Sequence, residues 1–255
     1  MTNSTSDANV IVRRDAASVR LTLNRPQARN ALNNATLAEL TAALLEAQAD
    51  AQVRCIVIDG AGGLAFSAGI DLVERRTLDV AAMGRQSRAV LDIVRAIAGS
   101  PVPVIAAIDG WCLGGGLEVA LACDLRLASD ASRFAFPEMA LGTYPGAGGA
   151  VLLPRIVGPA RAASLLLSTQ RLDAAQALEA GLVTSVTPRA LFEEAVQARV
   201  EDICSLSPAA VRAVRESLRR GITLPLDQAF EMDQGLRRPL DASHDHRRAV
   251  QKALS

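Results

Sequence analysis

Gly110-Trp111-Cys112-Leu113-Gly114-Gly115-Gly116-Leu117-Glu118 sets three glycines at the start of an apolar helical stretch and places one carboxylate inside it. The residues before it, 102–108, read as a buried strand that turns at Asp109-Gly110. The helix runs over 115–123, and a further strand follows at 125–128. The same rhythm extends upstream. Residues 53–58 form a short apolar strand ended by Asp59-Gly60, and loop 60–69 carries a second glycine turn, Phe66-Ser67-Ala68-Gly69-Ile70-Asp71. A long helix then covers 80–98. Nearer the N-terminus, 10–14 and 19–23 read as a hairpin across Asp15-Ala16-Ala17-Ser18, closed by Asn24-Arg25-Pro26. Thr36 and Glu39 have capping-box spacing ahead of a helix that puts Leu37, Leu40 and Leu44 on one face. Successive short buried strands alternating with helices predict an α/β core, although periodicity alone leaves its topology open. Beyond Leu172 the chain turns helical, over 174–180, 189–204, 208–219 and 226–235, with Pro208 suited to a first helical turn. The division expected is a core over 1–204 and a helical region over 205–255.

Composition narrows the function classes. A chain of 255 residues, half of them apolar, has material for one large core, and with few aromatics its packing must rest on Ala, Leu and Val. Acidic and basic residues balance at 27 each, so no global field favours nucleic acid or an anionic membrane. Lys252 is the only lysine; an anion site here would use arginine or backbone N–H groups. Cys55, Cys112, Cys123 and Cys204 have neither metal-ligand nor redox spacing, so no metal is expected; Cys55 and Cys123, in apolar runs, read as buried thiols, and Cys112, beside the glycine triplet, as core packing or pocket lining. The polar stretch 1–9 lacks a signal-peptide pattern, and Asp109, Glu118 and Asp124 interrupt the longest apolar run, so no membrane span and a cytoplasmic setting are expected.

The chemistry resides in the two glycine turns and two carboxylates. A thioester carbonyl oxygen gains negative charge when its α-carbon takes on carbanion character, and two aimed N–H donors stabilise it. Glycine lets a ligand approach the backbone, and Gly114–Gly116 lie where free helix N–H groups favour an anion. Glu118, among Leu117, Val119, Ala120 and Leu121, is expected to lose hydration and titrate high; the alternative is a wet-face glutamate or a partner for Arg126. Glu138, after Pro137, opens a short helix, where the dipole alone would account for it. A return of the chain between them would bring the two carboxylates together for paired acid/base work. His244 and His246 flank Asp245, but no partner cluster accompanies them.

Gly69-Ile70-Asp71, Leu113–Glu118 with Cys123-Asp124-Leu125, and Phe136–Gly149 closely resemble, in order and spacing, the diagnostic blocks of the enoyl-CoA hydratase/isomerase (crotonase) family, and the likeness runs from Leu23-Asn24-Arg25-Pro26 to the last helices. It implies an α/β spiral of strand–strand–helix repeats with a helical C-terminal region that packs trimers, often paired into hexamers. It also implies oxyanion donors at the backbone N–H groups of Ile70 and Gly115, and the two hydratase glutamates at Glu118 and Glu138. Contacts to the CoA adenine and phosphates fall near Gln27, Ala28, Arg29, Ala68 and Asp71. The implied reaction is syn addition of water to a trans-2-enoyl-CoA, with no separate cofactor, coenzyme A entering as part of the substrate. The alternatives are an enoyl-CoA isomerase using one carboxylate and a non-catalytic RNA-binding member. At the C-terminus, Arg248-Ala249 stands where the family commonly has an acidic residue and glycine.

Overall fold

The computed structural model describes residues 8–254. Most of the polar N-terminal stretch weighed above, residues 1–7, lies outside the described residues. An antiparallel hairpin, β1 (Val10–Asp15) and β2 (Ser18–Leu23), opens the fold, as the alternating pattern predicts. Helix α1 (Asn34–Ala49) buries Leu37, Leu40 and Leu44. Its cap differs from the expected Thr36–Glu39 box. Asn33, in extended conformation, accepts from the Thr36 N–H at 2.8 Å, and Glu39 instead holds Asn9 and the Val10 N–H. Asparagine caps at least as well as threonine, and it sits one turn earlier.

Three strand–strand–helix units follow. The first is β3 (Cys55–Gly60), β4 (Ala65–Ser67), a single turn α2 (Leu72–Arg75) and α3 (Val80–Ala98). The second is β5 (Val104–Ile108), β6 (Trp111–Leu113) and α4 (Gly115–Ala122). The third is β7 (Leu125–Ser129), β8 (Arg133–Ala135) and, after a connection over 136–148, α5 (Gly149–Val157) with α6 (Pro159–Ser168). The first strands of the units run parallel to one another in a six-stranded sheet ordered β1-β2-β3-β5-β7, with β10 (Ser185–Thr187) at its end. The second strands run parallel in a smaller sheet, β4-β6-β8, edged by antiparallel β9 (Leu172–Asp173). Each unit therefore lays one strand on each sheet and advances one strand position, which is the spiral that the resemblance implies. β5 starts two residues later than the reading over 102–108. Pro101 and Pro103 lack N–H groups, and the Ser100 hydroxyl bonds both polar groups of the Val102 backbone.

Helix α7 (Ala174–Glu179) carries a capping box between Asp173 and Gln176. The expected helix over 189–204 begins as a separate 3-10 turn and continues as α8 (Phe192–Ser205), whose Phe192, Val196 and Val200 cover β3 and β7. Helices α9 (Pro208–Gly221), α10 (Leu226–Asp241) and α11 (His244–Leu254) complete the chain, and none of them buries a residue. α10 runs on past Gly235, where the sequence reading ends it, and through Pro239. Among the described residues no helix is long and apolar enough to cross a membrane, and the four cysteines are free, three of them buried.

Candidate active site

The spiral brings two loops onto one another. In the first, Gly69 adopts φ +85, and a Cβ there would stand 2.8 Å from the Leu113 carbonyl oxygen and 3.1 Å from the Gly115 nitrogen. Only glycine permits that approach. Ile70 follows, in an isolated bridge to Leu32. That bridge uses the Leu32 N–H to Gly69 O and the Asp71 N–H to Leu32 O, so the Ile70 N–H stays out of it. In the second loop Gly114 turns with φ +48 and Gly115 begins α4, where an N–H has no carbonyl one turn back to meet. Neither the Ile70 nor the Gly115 N–H finds a partner among the described residues. They are neighbours: a Cβ built on Gly115 would lie 3.7 Å from the Ile70 nitrogen. Two unpaired donors side by side at a helix N-terminus can hold an oxyanion.

Both amides face a cavity of about 300 Å³, and so do Glu118 and Glu138. Glu118 lies in the first turn of α4, only 4 % exposed. Burial pushes its carboxyl above the ordinary glutamate range, opposed by the backbone of Gly149 and Ala147. The Gly149 N–H donates to Glu118 Oε1 at 2.9 Å, an interaction that favours the ionised form. Arg126, the alternative partner, is engaged elsewhere, donating to the Leu182 and Cys123 carbonyls. Glu138 opens a 3-10 turn (Glu138–Leu141), as its position after Pro137 suggests. Burial raises it to about 7, its own backbone N–H opposes the rise and the charge of Glu118 adds to it. Its buried Oε2 has no partner among the described residues. The carboxylate also abuts the glycine turn, since a Cβ on Gly114 would stand 2.5 Å from Glu138 Oε1. Burial thus raises both carboxyls, Glu138 to about 7, and the Gly149 N–H partly offsets the rise at Glu118.

The other sequence-predicted residues scatter more widely. Ala68 lines the cavity and donates its N–H to the Arg29 carbonyl. Gln27 and Ala28 lie on a 3-10 turn, and Arg29 borders a separate cleft with Trp111 and Arg171, which shares Pro137 with the main cavity. Asp71 does not line the cavity. Burial alone would raise its carboxyl, but Arg25 at 2.8 Å and the Val73 and Glu74 amides hold it below its ordinary value. It caps α2 and so fixes the loop carrying Ile70. His244 and His246 are exposed on α11, and Asp245 between them accepts from Ser207. The Gly149 amide, Arg75, Ser87 and Tyr144 also line or support the site without having been singled out for it. Gly149 and Tyr144 had a signal, as members of the matching block Phe136–Gly149.

A larger cleft, about 630 Å³, lies between α9 and the core. Of the charges lining it, Arg215 pairs with Asp124 and Arg219 with Glu216; the two unpaired backbone donors and the two raised carboxyls line the smaller cavity.

A family model described as enoyl-CoA hydratase/isomerase matches residues 13–253. The chain belongs to the enoyl-CoA hydratase/isomerase family. It is 37% identical over 247 residues to the 2,3-dehydroadipyl-CoA hydratase of Escherichia coli, covering 97% of this chain and 96% of that one. It is 34% identical over 225 residues to a short-chain-enoyl-CoA hydratase of Clostridium acetobutylicum, covering 88% and 86%. Among solved structures it matches an enoyl-CoA hydratase from Bacillus anthracis with a TM-score of 0.93 at 35% identity, over 95% of each chain. Membership of this acyl-CoA-processing family implies a CoA thioester substrate.

Proposed function

We propose that this protein is an enoyl-CoA hydratase, adding water syn across a trans-2-enoyl-CoA to give a 3-hydroxyacyl-CoA. One observation carries the reading: two carboxyls, both raised by burial and Glu138 to about 7, share a cavity with two unpaired backbone donors. The thioester oxygen would rest between the Ile70 and Gly115 amides. Glu118, ionised, would take a proton from the water attacking C3. As that bond forms, negative charge moves onto the thioester oxygen, where the two amides and the N-terminus of α4 favour it. Glu138 would then deliver its proton to C2. The reaction calls for no separate cofactor, and the expected setting is the cytoplasm. Arg29 would meet the CoA portion from the neighbouring cleft, together with the turn at Gln27 and Ala28 and the wall at Ala68; Asp71 would contribute by holding the loop.

Loss of the conjugated-thioester absorbance of crotonyl-CoA tests the reaction directly. A purified, folded protein that leaves it unchanged while shifting the double bond of a 3-enoyl-CoA would establish an isomerase instead.

The roles of the carboxyls carry a pH signature. Glu138 works as an acid only while protonated, so with its value raised to about 7 the kcat/KM for hydration is expected to fall as pH rises through that region. Glu118 works as a base only while ionised, so a second decline is expected on the acid side of its raised value. Initial rates at subsaturating substrate from about pH 5 to about pH 9 define the two limbs. A profile flat through neutrality would remove the acid role from Glu138.

The assembly proposed is a trimer, or two trimers paired. Val211, Val214 and Leu218 lie at helical spacing on α9; Val211 is half-buried, but Val214 and Leu218 are exposed, as are Ile222, Leu226 and Phe230 beyond them. The chain's own core does not cover these side chains, and closed rings are a usual way to cover such faces. Light scattering coupled to size exclusion at micromolar concentration is expected to give three or six chain masses. A single-chain mass would overturn the assembly.

A further inference from the structure

We propose that Arg75 reads the far end of the acyl chain and makes the site selective for enoyl-CoA substrates whose chain ends in a carboxylate. The inference rests on the hydratase reading and specifies its substrate class. With the thioester oxygen at Ile70 and Gly115, C2 and C3 near the carboxyls and the CoA portion toward Arg29, the wall left for the acyl chain includes Leu72, Arg75, Ser87, Val90 and Leu141. Most of that wall is apolar, which suits methylene groups. Among the described residues, Arg75 is the one cation on it.

The guanidinium is positioned but not neutralised. Arg75 Nη1 donates to Gln86 Oε1 at 3.1 Å and makes longer contacts, 3.5 Å each, with the Met83 carbonyl and the Ser87 hydroxyl. All three acceptors are uncharged. The nearest candidate for a counterion on its own turn, Glu74, is turned away: its Oε2 accepts from the Gln86 amide at 2.7 Å and from the Asn34 N–H at 2.9 Å. Asp71, at the start of the same turn, is paired with Arg25. Gln86 is itself buried and therefore fixed, so it holds Arg75 in place through its oxygen and Glu74 through its nitrogen. The remaining N–H groups of Arg75 have no partner among the described residues. A guanidinium offers parallel donors matched to a carboxylate, and Ser87 lies beside it as a further donor. An alkyl terminus would leave those donors desolvated and unmet, whereas a carboxylate would satisfy them.

Two trans-2-enoyl-CoA substrates of equal chain length, one ending in a methyl group and one in a carboxylate, test this on the intact protein. Wild type is expected to favour the carboxylated substrate by ~10-fold or more in kcat/KM, the scale of a charged hydrogen bond. Equal or reversed preference would overturn the proposal. Arg75→Leu is expected to lower that ratio by ~10-fold or more, with Arg75→Lys restoring part of it. A ratio unmoved by Arg75→Leu would also overturn it. Calorimetric binding of the two corresponding saturated acyl-CoA ligands separates this inference from the reaction reading. A carboxylate preference in binding without hydration of either substrate would leave Arg75 in its role and sink the hydratase assignment. Hydration without the preference would do the reverse. CoA alone serves as the control ligand: if Arg75→Leu weakens it as much as the carboxylated ligand, Arg75 belongs to the CoA portion and the proposal fails. Should Arg75→Leu not fold, the wild-type preference decides.

Discussion

Glu118→Gln and Glu138→Gln are each expected to lower the rate of hydration by at least ~100-fold, the scale set by a positioned acid or base. Glutamine keeps the shape of either side chain and removes its proton chemistry. At position 118 the amide oxygen can still accept from the Gly149 N–H, now 2.9 Å from Glu118 Oε1, so the geometry of the connection over 136–148 is retained. At position 138 the amide occupies a pocket in which Oε2 already lacks a partner, so no existing hydrogen bond to that oxygen is lost. The double variant is expected to lose less than the product of the single losses. Once one carboxyl is absent the water or the enolate is no longer served in concert, and the second has less left to contribute. Initial rates on crotonyl-CoA, with circular dichroism as the check on folding, give the three numbers. Near-wild-type hydration by either folded single variant would remove that residue from the chemistry. Strictly multiplicative losses would show two independent groups in place of one unit. The pH profile adds a consistency test, because Glu138→Gln should abolish the fall through about 7 that Glu138 is expected to cause.

How much of this was legible in the sequence depended on whether local chemistry or tertiary pairing decides an element. The helices with continuous apolar faces read correctly, α3 at its observed bounds, because their period is visible over several turns. The strands β4, β6 and β8 did not. Each has three residues, too few for an alternating pattern to emerge, and each exists because the neighbouring unit supplies a parallel partner. α5 and α6 were also passed over. Pro154 sits inside the first, and Gly158 and Pro159 separate the two, so the usual signs of a helix end are scattered through both. Within the site, Glu118 and the glycine turns were contiguous motifs, whereas the position after Pro137 showed Glu138 only as a helix-opening residue and its site role came from the family resemblance. What could not be read was the partnering that sets their protonation. The Gly149 amide that favours the ionised form of Glu118 comes from 31 residues away, and Arg75 reaches the cavity from a four-residue turn with no pattern of its own. Spacing shows which residues share a motif; only the spiral shows which motifs share a wall.

Gly115→Val is expected to abolish measurable turnover while leaving the fold and the assembly intact, and the structure changes the reason for it. In sequence, the glycine triplet reads both as backbone left open to the thioester and as a turn that a side chain would strain. Yet the strained positive φ values belong to Gly69 and Gly114, and Gly115 does not share them. A Cβ on Gly115 would meet Ile70 Cγ1 at 3.6 Å, the Ile70 nitrogen at 3.7 Å and Leu32 Cδ1 at 3.8 Å, all ordinary contacts. The backbone therefore tolerates a side chain. What it does not tolerate is the loss of the open space beside the Ile70 amide, which the branches of valine would take from the thioester oxygen. Blocking that position removes the stabilisation of both donors at once, each worth about 3 kcal/mol or more in comparable sites. Gly115→Ala should give a graded loss with a normal fold, since its single methyl approaches the same amide without filling the space. Gly114→Ala should behave differently, because its Cβ would push directly on Glu138 Oε1 and displace the acid. Rates on crotonyl-CoA together with thermal unfolding separate the cases. A stable Gly115→Val protein that still hydrates would show that the oxyanion is held elsewhere. A Gly115→Val protein that unfolds while Gly115→Ala remains folded and fully active would show that this glycine serves packing alone.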